Sequence, residues 1–256
     1  MTIATQASSR AAPLPRIIPG AIGLAWFVAV AAEVSGGSSL AHHDTLLEGG
    51  LPWGAALALF ILAWQLMIVA MMLPSSLPLI RMFVAAAADQ PRPRAVVGFF
   101  LGAYALVWGA FGLIAFAGDA ILHRVVEANP RLDANAWVVS AGVLALAGAF
   151  QFSSLKDRCL RECRHPGVFL LQHYRRGTRN ALRLGIRHGL FCLGCCWALM
   201  LVSFAVGVAN LWWMAVLTAL MVYEKTGRKS AEVTTAAGAA LLAMGATVAV
   251  LGLFTH

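Results

Sequence analysis

Long apolar stretches separated by short charged segments are the feature that most constrains how this chain folds. Several of them approach the 20 or so apolar residues that a helix needs to cross a bilayer. Only 12% of the 256 residues are charged, which is about half the fraction usual in a soluble domain, and the mean hydropathy is +0.78. The chain is therefore predicted to be an all-α, polytopic transmembrane helical bundle.

Seven spans are predicted, following a cytoplasmic tail of residues 1–16, and together they form one transmembrane domain from residue 17 to residue 256. The spans are residues 17–34, 53–73, 95–118, 136–152, 188–207, 209–223 and 233–254. No small-residue cleavage site follows the first apolar run, so this run is expected to remain as a helix. The sixth span is short, and the alternative is five spans with a re-entrant hairpin at 188–223.

The distribution of basic residues predicts the orientation of the chain, with the N-terminus in the cytoplasm. Only Arg124 and Arg131 then lie on the outer side, and the other 17 of the 19 Lys and Arg residues lie inside, as the positive-inside rule requires. The inner set is Arg10, Arg16, Arg81, Arg92, Arg94, Lys156, Arg158, Arg161, Arg164, Arg175, Arg176, Arg179, Arg183, Arg187, Lys225, Arg228 and Lys229. Residues 154–187 form a basic cytoplasmic loop. Topology thus explains the net charge of +8, and nucleic-acid binding is not expected.

Three of the five cysteines lie within five positions of the fifth predicted span, in HGLFCLGCCWALM (188–200). On a helix, His188, Cys192, Cys196 and Met200 follow one another at four-residue intervals on one face, and Cys195 lies beside them. Thiolates and thioethers are ligands that Cu(I) prefers, and Cys with His also binds zinc. A bound cation would keep a buried thiol deprotonated. The alternative is that these cysteines pack as small hydrophobic residues.

The second predicted span carries methionines at a matching depth. In AWQLMIVAMMLP (63–74), Met67 and Met71 share a helix face with Trp64, and this face reaches the cytoplasmic third of the bilayer. A methionine stripe at helical spacing usually belongs to the packed core. Met67 and Met71 are therefore additional ligand candidates only because cysteines are predicted at the same depth. Pro74 and Pro78 predict a kink or break near the cytoplasmic end of this helix.

Two further cysteines lie in the basic segment KDRCLRECRHP (156–166) of the cytoplasmic loop. One helical turn would place Cys159 and Cys163 on the same side, and the neighbouring arginines are expected to lower the pKa of both thiols. Cytosolic thiols stay reduced, so a structural disulfide is not expected. The pair is predicted to deliver or accept metal for the buried cysteines, or else to lie on a solvated basic face without a role.

Glu224 ends the sixth predicted span, where an acid is costly unless it is paired. Lys225 is next in sequence, and residues i and i+1 do not face each other on a helix. The expected partner is therefore another basic residue, such as Lys156 or Arg187, and the alternative is an ordinary interfacial charge. Further polar residues predicted at the same depth are Gln151, Ser75 and Ser76.

Two polar groups on the outer side are weaker candidates for metal binding. His42 and His43, with Asp44 and Glu48, could bind a divalent ion, although adjacent histidines are common in polar loops. Asp119 and His123 share a helix face in the other outer segment.

Four segments together resemble a bacterial family of predicted metal-binding integral membrane proteins, some of whose members are named copper chaperones. The segments are AWQLMIVAMMLPSSLPLI (63–80), QFSSLKDRCLRECRHP (151–166), GIRHGLFCLGCCWALM (185–200) and YEK (223–225). The similarity extends over about residues 55–254 and implies metal binding. The His42-His43 pair lies outside the pattern of this family.

The sequence as a whole predicts a non-enzymatic membrane protein that holds or passes Cu(I), with zinc as the alternative ion. The expected ligands are Cys192, Cys195, Cys196, His188, Met200, Met67, Met71, Cys159 and Cys163. The expected partners are the lipid bilayer and a copper enzyme, a copper carrier or a larger membrane complex. The chain has no ATP-binding loop, which argues against a primary pump.

Two other classes of function stay open at this stage. The first is an accessory or structural subunit of a larger membrane complex. The second is a membrane thiol-redox protein that uses the Cys192-Leu-Gly-Cys195 pair. The reducing cytoplasmic side argues against the generation of disulfides there.

Overall fold

The computed structural model describes residues 15–35, 52–133, 135, 137–205 and 210–255, and this part of the chain contains helices and no strand. The helices are α1 (Ile17–Val34), α2 (Trp53–Ala87), α3 (Pro93–Glu127), α4 (Pro130–Asp133), α5 (Trp137–Gln151), α6 (Ser154–Arg164), α7 (Pro166–His173), α8 (Thr178–Ala205), α9 (Leu211–Thr226) and α10 (Ser230–Thr255). The all-α prediction is confirmed. Residues 1–14 of the predicted tail and the outer residues His42, His43, Asp44 and Glu48 lie outside the described residues.

Five of the described helices, α1, α2, α3, α8 and α10, are long and apolar enough to cross a membrane. They correspond to five of the seven predicted spans. Helices α2 and α3 have 35 residues each, or about 52 Å at 1.5 Å per residue. Both are therefore longer than the hydrocarbon core, which is about 30 Å thick.

The predicted spans at 136–152 and 209–223 correspond to shorter helices. Helix α5 has 15 residues and α9 has 16, or about 22–24 Å each. Helices α5 and α6 would make a sixth span only as a pair bent by 63°. Residues 188–205 continue α8, a helix of 28 residues, and α9 begins at Leu211, so the re-entrant hairpin suggested for 188–223 stays an alternative prediction.

Helix α2 continues through Pro74 and Pro78, so of the predicted kink or break the break was wrong, and the kink stays a prediction. Pro74 has no N–H to donate to the carbonyl of Ala70. The indole of Trp26 on α1 donates to this carbonyl instead, with 3.1 Å between Nε1 and the oxygen. The hydroxyl of Ser75 donates to the carbonyl of Met72 at 2.8 Å. The bond from Trp26 provides the carbonyl of Ala70 with a donor, which removes part of the cost of the proline.

Helices α3 and α8 lie in close contact because glycines on α8 face α3. A Cβ atom added at Gly189 would lie 2.9 Å from Cβ of Val107, and one added at Gly185 would collide with the backbone carbonyl of Phe100. Small residues allow membrane helices to approach in this way. This packing holds the cysteines of α8 in the interior of the bundle.

Residues 154–187, predicted as a loop, contain two short helices before α8 begins. Helix α6 starts after Ser153, whose side-chain oxygen accepts a hydrogen bond from the backbone N–H of Lys156 at 3.1 Å. Such a cap stabilises a helix start by about 1 kcal/mol. The helix buries Lys156, Cys159 and Leu160 and packs against α8. One face of α6 therefore closes over the cysteines of α8.

Candidate metal site

Cysteines from two helices meet inside the bundle. The Sγ atom of Cys195 lies 3.3 Å from Sγ of Cys196 and 4.0 Å from Sγ of Cys163 on α6. Cys192, Cys195 and Cys196 are each at most 1% exposed, and none of them forms a disulfide. Cys163, Cys192, Cys195 and Cys196 are called the thiol cluster below.

Cys159 lies on the same helix as Cys163 and faces α8 at Gly194. A Cβ atom added at Gly194 would lie 2.5 Å from the sulfur of Cys159, so only glycine accommodates this thiol at its present position. Cys159 is 7% exposed, and the alternative of a solvated face is wrong for this residue. Burial, together with the negative charge of Glu162, raises the pKa of the Cys159 thiol. The lowering of that pKa expected from the neighbouring arginines is therefore also wrong.

Sequence reasoning did not assign Lys225 to the site, although this residue is central to it. Lys225 lies in the last turn of α9 and is 5% exposed. Its Nζ atom lies 3.1 Å from Sγ of Cys192 and donates to Oγ of Ser75 at 2.8 Å. The hydroxyl of Tyr104 on α3 lies 3.1 Å from the same sulfur. A lysine in the last turn of an apolar helix, at the depth of the cysteines, was the signal that could have identified it.

His188 lies one turn before Cys192 and contacts a hydroxyl group. Its Nε2 atom lies 3.1 Å from Oγ of Ser76, and its ring stacks on that of Tyr104 with 5.4 Å between the centroids. The contact of Ser76 with His188 places these parts of α2 and α8 at the same level of the bundle, as the predicted match in depth requires. Through Ser76 and Tyr104, which are 3.4 Å apart, His188 belongs to the same polar network as Cys192.

The predicted partner of Glu224 is confirmed as Lys156. Nζ of Lys156 donates to both carboxylate oxygens of Glu224, at 2.9 and 2.8 Å. Thr234 on α10 donates to the same carboxylate at 3.1 Å. Both charged residues are buried. The pair connects α6 to α9 beside the thiol cluster.

The methionines predicted as ligands are buried in the same apolar core as the cysteines. Met67, Met71 and Met200 all belong to this core, and burial suits core packing as well as it suits metal binding. Their role as ligands therefore stays a prediction. Asp119 and His123 both lie in α3, and their role also stays a prediction.

The candidate metal ligands are close together but do not yet have the arrangement of a metal site. No three or more His, Cys, Asp or Glu side chains in the described part of the chain are arranged to hold a metal ion. Two sulfur atoms bound to one ion at about 2.3 Å lie about 3.8 Å apart in a tetrahedral site. The separation of Cys163 and Cys195, 4.0 Å, is near this value, whereas that of Cys195 and Cys196, 3.3 Å, is shorter. Binding therefore requires side-chain rotation within the thiol cluster.

A cavity of about 280 Å³ reaches the cluster from the side of α6. Its polar lining includes Ser75, Ser76, Cys163, Arg164, His188 and Lys225. The cavity thus connects Cys163 to the polar groups around Cys192, and it offers a route by which an ion could approach the thiols.

One family model matches this chain over most of its length. The model, PpoB2, is described as a copper chaperone and matches residues 61–248. The matched region contains the thiol cluster, Lys225 and the Lys156–Glu224 pair. The resemblance predicted from the sequence is therefore confirmed. No curated protein and no solved structure matches the chain.

Proposed function

Because the chain belongs to the PpoB2 family, described as copper chaperones, we propose that it is a membrane protein that binds Cu(I) in the thiol cluster and passes it to a partner. The observation that carries this proposal is the burial of three thiols of α8 beside a thiol of α6 and the ammonium group of Lys225. Sulfur donors favour Cu(I) over harder ions. The long apolar helices are compatible with a membrane protein.

Lys225 balances the charge that copper binding creates. Two thiolates and one Cu(I) ion carry a net charge of −1, and a buried charge is tolerated only when it is paired. The ammonium group of Lys225 is already 3.1 Å from the sulfur of Cys192. Lys225 therefore acts as the counter-charge of a bound copper–thiolate unit.

Cys163 is the thiol that meets incoming copper in this proposal. It lines the cavity and lies 4.0 Å from the sulfur of Cys195. Copper passes from a thiolate donor to Cys163 and then to the buried thiols, as each new Cu–S bond forms while an old one breaks. Each incoming thiol gives its proton to the thiolate that leaves, and copper stays Cu(I) throughout. Cys159, which packs against Gly194, is a second and less accessible thiol on this path.

The remaining ligand candidates would complete the coordination. His188, Met200, Met67 and Met71 are buried on α8 and α2, and rotation of their side chains would add nitrogen or thioether donors. We propose no catalysed reaction, because the family is described as one of copper chaperones. The partner would be a copper enzyme, a copper carrier or a larger membrane complex, reached from the cytoplasmic side of the inner membrane.

The test is the copper content of purified protein after loading with Cu(I) under reducing, anaerobic conditions. The wild-type protein should hold up to one copper ion per chain. The Cys192→Ser, Cys195→Ser and Cys196→Ser triple variant should hold none, because hydroxyl groups are poor ligands for Cu(I). The matched control is Cys159→Ser, which removes a thiol outside the cluster and should retain copper at equilibrium.

Each outcome of this test has a definite meaning. Equal copper content in the triple variant and the wild type would reject the proposed site. If the wild type retains zinc but not copper, and the triple variant loses the zinc, the proposed site is correct but its ion is zinc.

A further inference from the structure

A second cavity, of about 530 Å³, lies between α6 and the beginning of α10, and no cysteine is among the described residues that line it. Gln151 and Phe152 line it at the turn between α5 and α6, and Ser230 and Ala231 line it at the start of α10. The proposed function does not use this cavity, so the copper site does not explain its polar lining.

Two buried polar side chains in this lining have no partner among the described residues. Gln151 is 2% exposed, and neither its Oε1 nor its Nε2 atom has a hydrogen-bond partner there. Ser230 is 0% exposed, and its hydroxyl is also without a partner. A buried polar group without a hydrogen bond costs about 1–3 kcal/mol. A polar ligand in the cavity would provide both side chains with hydrogen-bond partners.

The charges around the cavity favour an anion. Arg158, Arg161 and Arg164 line it from α6, whereas Asp157 is the one acidic residue in the lining. Arg164 also donates to the carbonyl of Gly227 at 3.3 Å, which orients its side chain. The first backbone N–H groups of α10 have no carbonyl four residues earlier within the helix, and they add partial positive charge. Three arginines that line one cavity together with hydroxyl and amide side chains provide donors suitable for a phosphate group.

The surroundings favour a phosphate that is carried by a lipid. Phe152, at the turn between α5 and α6, and Leu155, at the beginning of α6, are 52% and 54% exposed, and Phe152 also lines the cavity. An apolar surface beside a basic cavity suits a molecule that has acyl chains and an anionic headgroup. We propose that this cavity binds a phosphate group, and that the group is the headgroup phosphate of an anionic phospholipid.

The test measures lipid binding to the full-length protein after removal of co-purified lipid. Phosphatidylglycerol, phosphatidylcholine and inorganic phosphate are each titrated in detergent, and bound molecules are counted by native mass spectrometry. Phosphatidylglycerol should bind at least tenfold more tightly than phosphatidylcholine. The Arg158→Gln and Arg161→Gln double variant should lose about 25-fold in affinity, since one arginine contributes about fivefold near an anionic lipid.

Two sets of variants separate a specific site from general surface charge. The Arg179→Gln and Arg187→Gln double variant removes the same charge from exposed positions of α8 and should bind almost as tightly as the wild type. Ser230→Ala and Gln151→Met remove the buried donors without changing the net charge, and each should weaken binding. Helical content, measured by circular dichroism, confirms that each variant is folded.

The outcomes distinguish the sources of the phosphate. In one alternative outcome, inorganic phosphate at millimolar concentration displaces the lipid from the wild type and fails to bind the Arg158 and Arg161 double variant. This result would support the site and assign it to soluble phosphate. Equal loss of lipid binding in both arginine double variants, or no effect of Ser230→Ala and Gln151→Met, would overturn the proposal. None of these outcomes depends on copper binding.

Discussion

At the scale of single residues, Lys225 carries the charge on which the proposed copper site depends. Lys225→Met removes the ammonium group beside Cys192 but keeps a side chain of similar length. A buried copper–thiolate unit would then lack its counter-charge, which costs several kcal/mol. We expect the affinity for Cu(I), measured by competition with a chromogenic chelator, to fall at least about tenfold. Lys225→Arg keeps the charge and should lose much less. Equal affinities in the wild type and Lys225→Met would reject this role.

The Lys156–Glu224 pair is a second prediction at this scale. Lys156→Met leaves the buried carboxylate of Glu224 without its ammonium partner, and breaking such a pair typically costs about 3–5 kcal/mol. The free energy of unfolding, measured in mixed detergent and dodecyl sulfate by circular dichroism, should fall accordingly. Adding Glu224→Gln to this variant removes the unpaired charge and should restore much of the lost stability. A single variant as stable as the wild type would contradict the pairing.

At the scale of elements, the contact between α6 and α8 brings Cys163 to the buried thiols. Gly194→Ala places a methyl group against the sulfur of Cys159, and we expect this clash to displace α6 from α8. Forcing an extra group into packed structure costs about 1–3 kcal/mol. We expect slower loading of Cu(I) from a thiolate donor, followed by rapid mixing, because Cys163 moves away from Cys195.

The controls for this prediction use the same pair of residues. Cys159→Ala combined with Gly194→Ala removes the obstructing sulfur and should load copper as fast as Cys159→Ala alone. Gly102→Ala on α3 adds a methyl group where nothing lies within 4 Å and should have no effect. If Gly194→Ala loads copper as fast as the wild type, the contact between these helices does not control the path.

At the scale of the whole molecule, the orientation in the membrane is the prediction to test. Cys159 is too buried to report it reliably, so exposed positions in a variant without native cysteines are preferable. Arg179→Cys, at the beginning of α8, should react with a membrane-impermeant thiol reagent in inverted vesicles but not in spheroplasts. Glu127→Cys, at the end of α3, should show the reverse. The opposite result for both positions would invert the orientation and place the thiol cluster near the outer face.

The fold class and much of the site follow from local patterns in the sequence. The lengths of the apolar stretches identify α1, α2, α3, α8 and α10, because a bilayer requires about 20 apolar residues per crossing. The four-residue spacing predicts that His188, Cys192 and Cys196 share one helix face. The cost of an unpaired acid in a membrane led to a basic partner for Glu224, such as Lys156 or Arg187, and the structure has Lys156 there. Each of these inferences depends only on residues that are near in sequence, or on the cost of leaving one charge unpaired.

Only the tertiary structure decided how helices distant in sequence meet. Cys163 approaches Cys195 because α6 turns by 63° after α5 and packs on Gly194. Lys225 reaches Cys192 because α9 ends beside α2 and α8, as its bond to Ser75 shows. The continuity of α2 past Pro74 depends in part on a hydrogen bond from Trp26, 44 residues earlier than the carbonyl that accepts it. Helical periodicity states which side of a helix a residue occupies but not which helix it faces. Packing and the pairing of buried polar groups determine the neighbour.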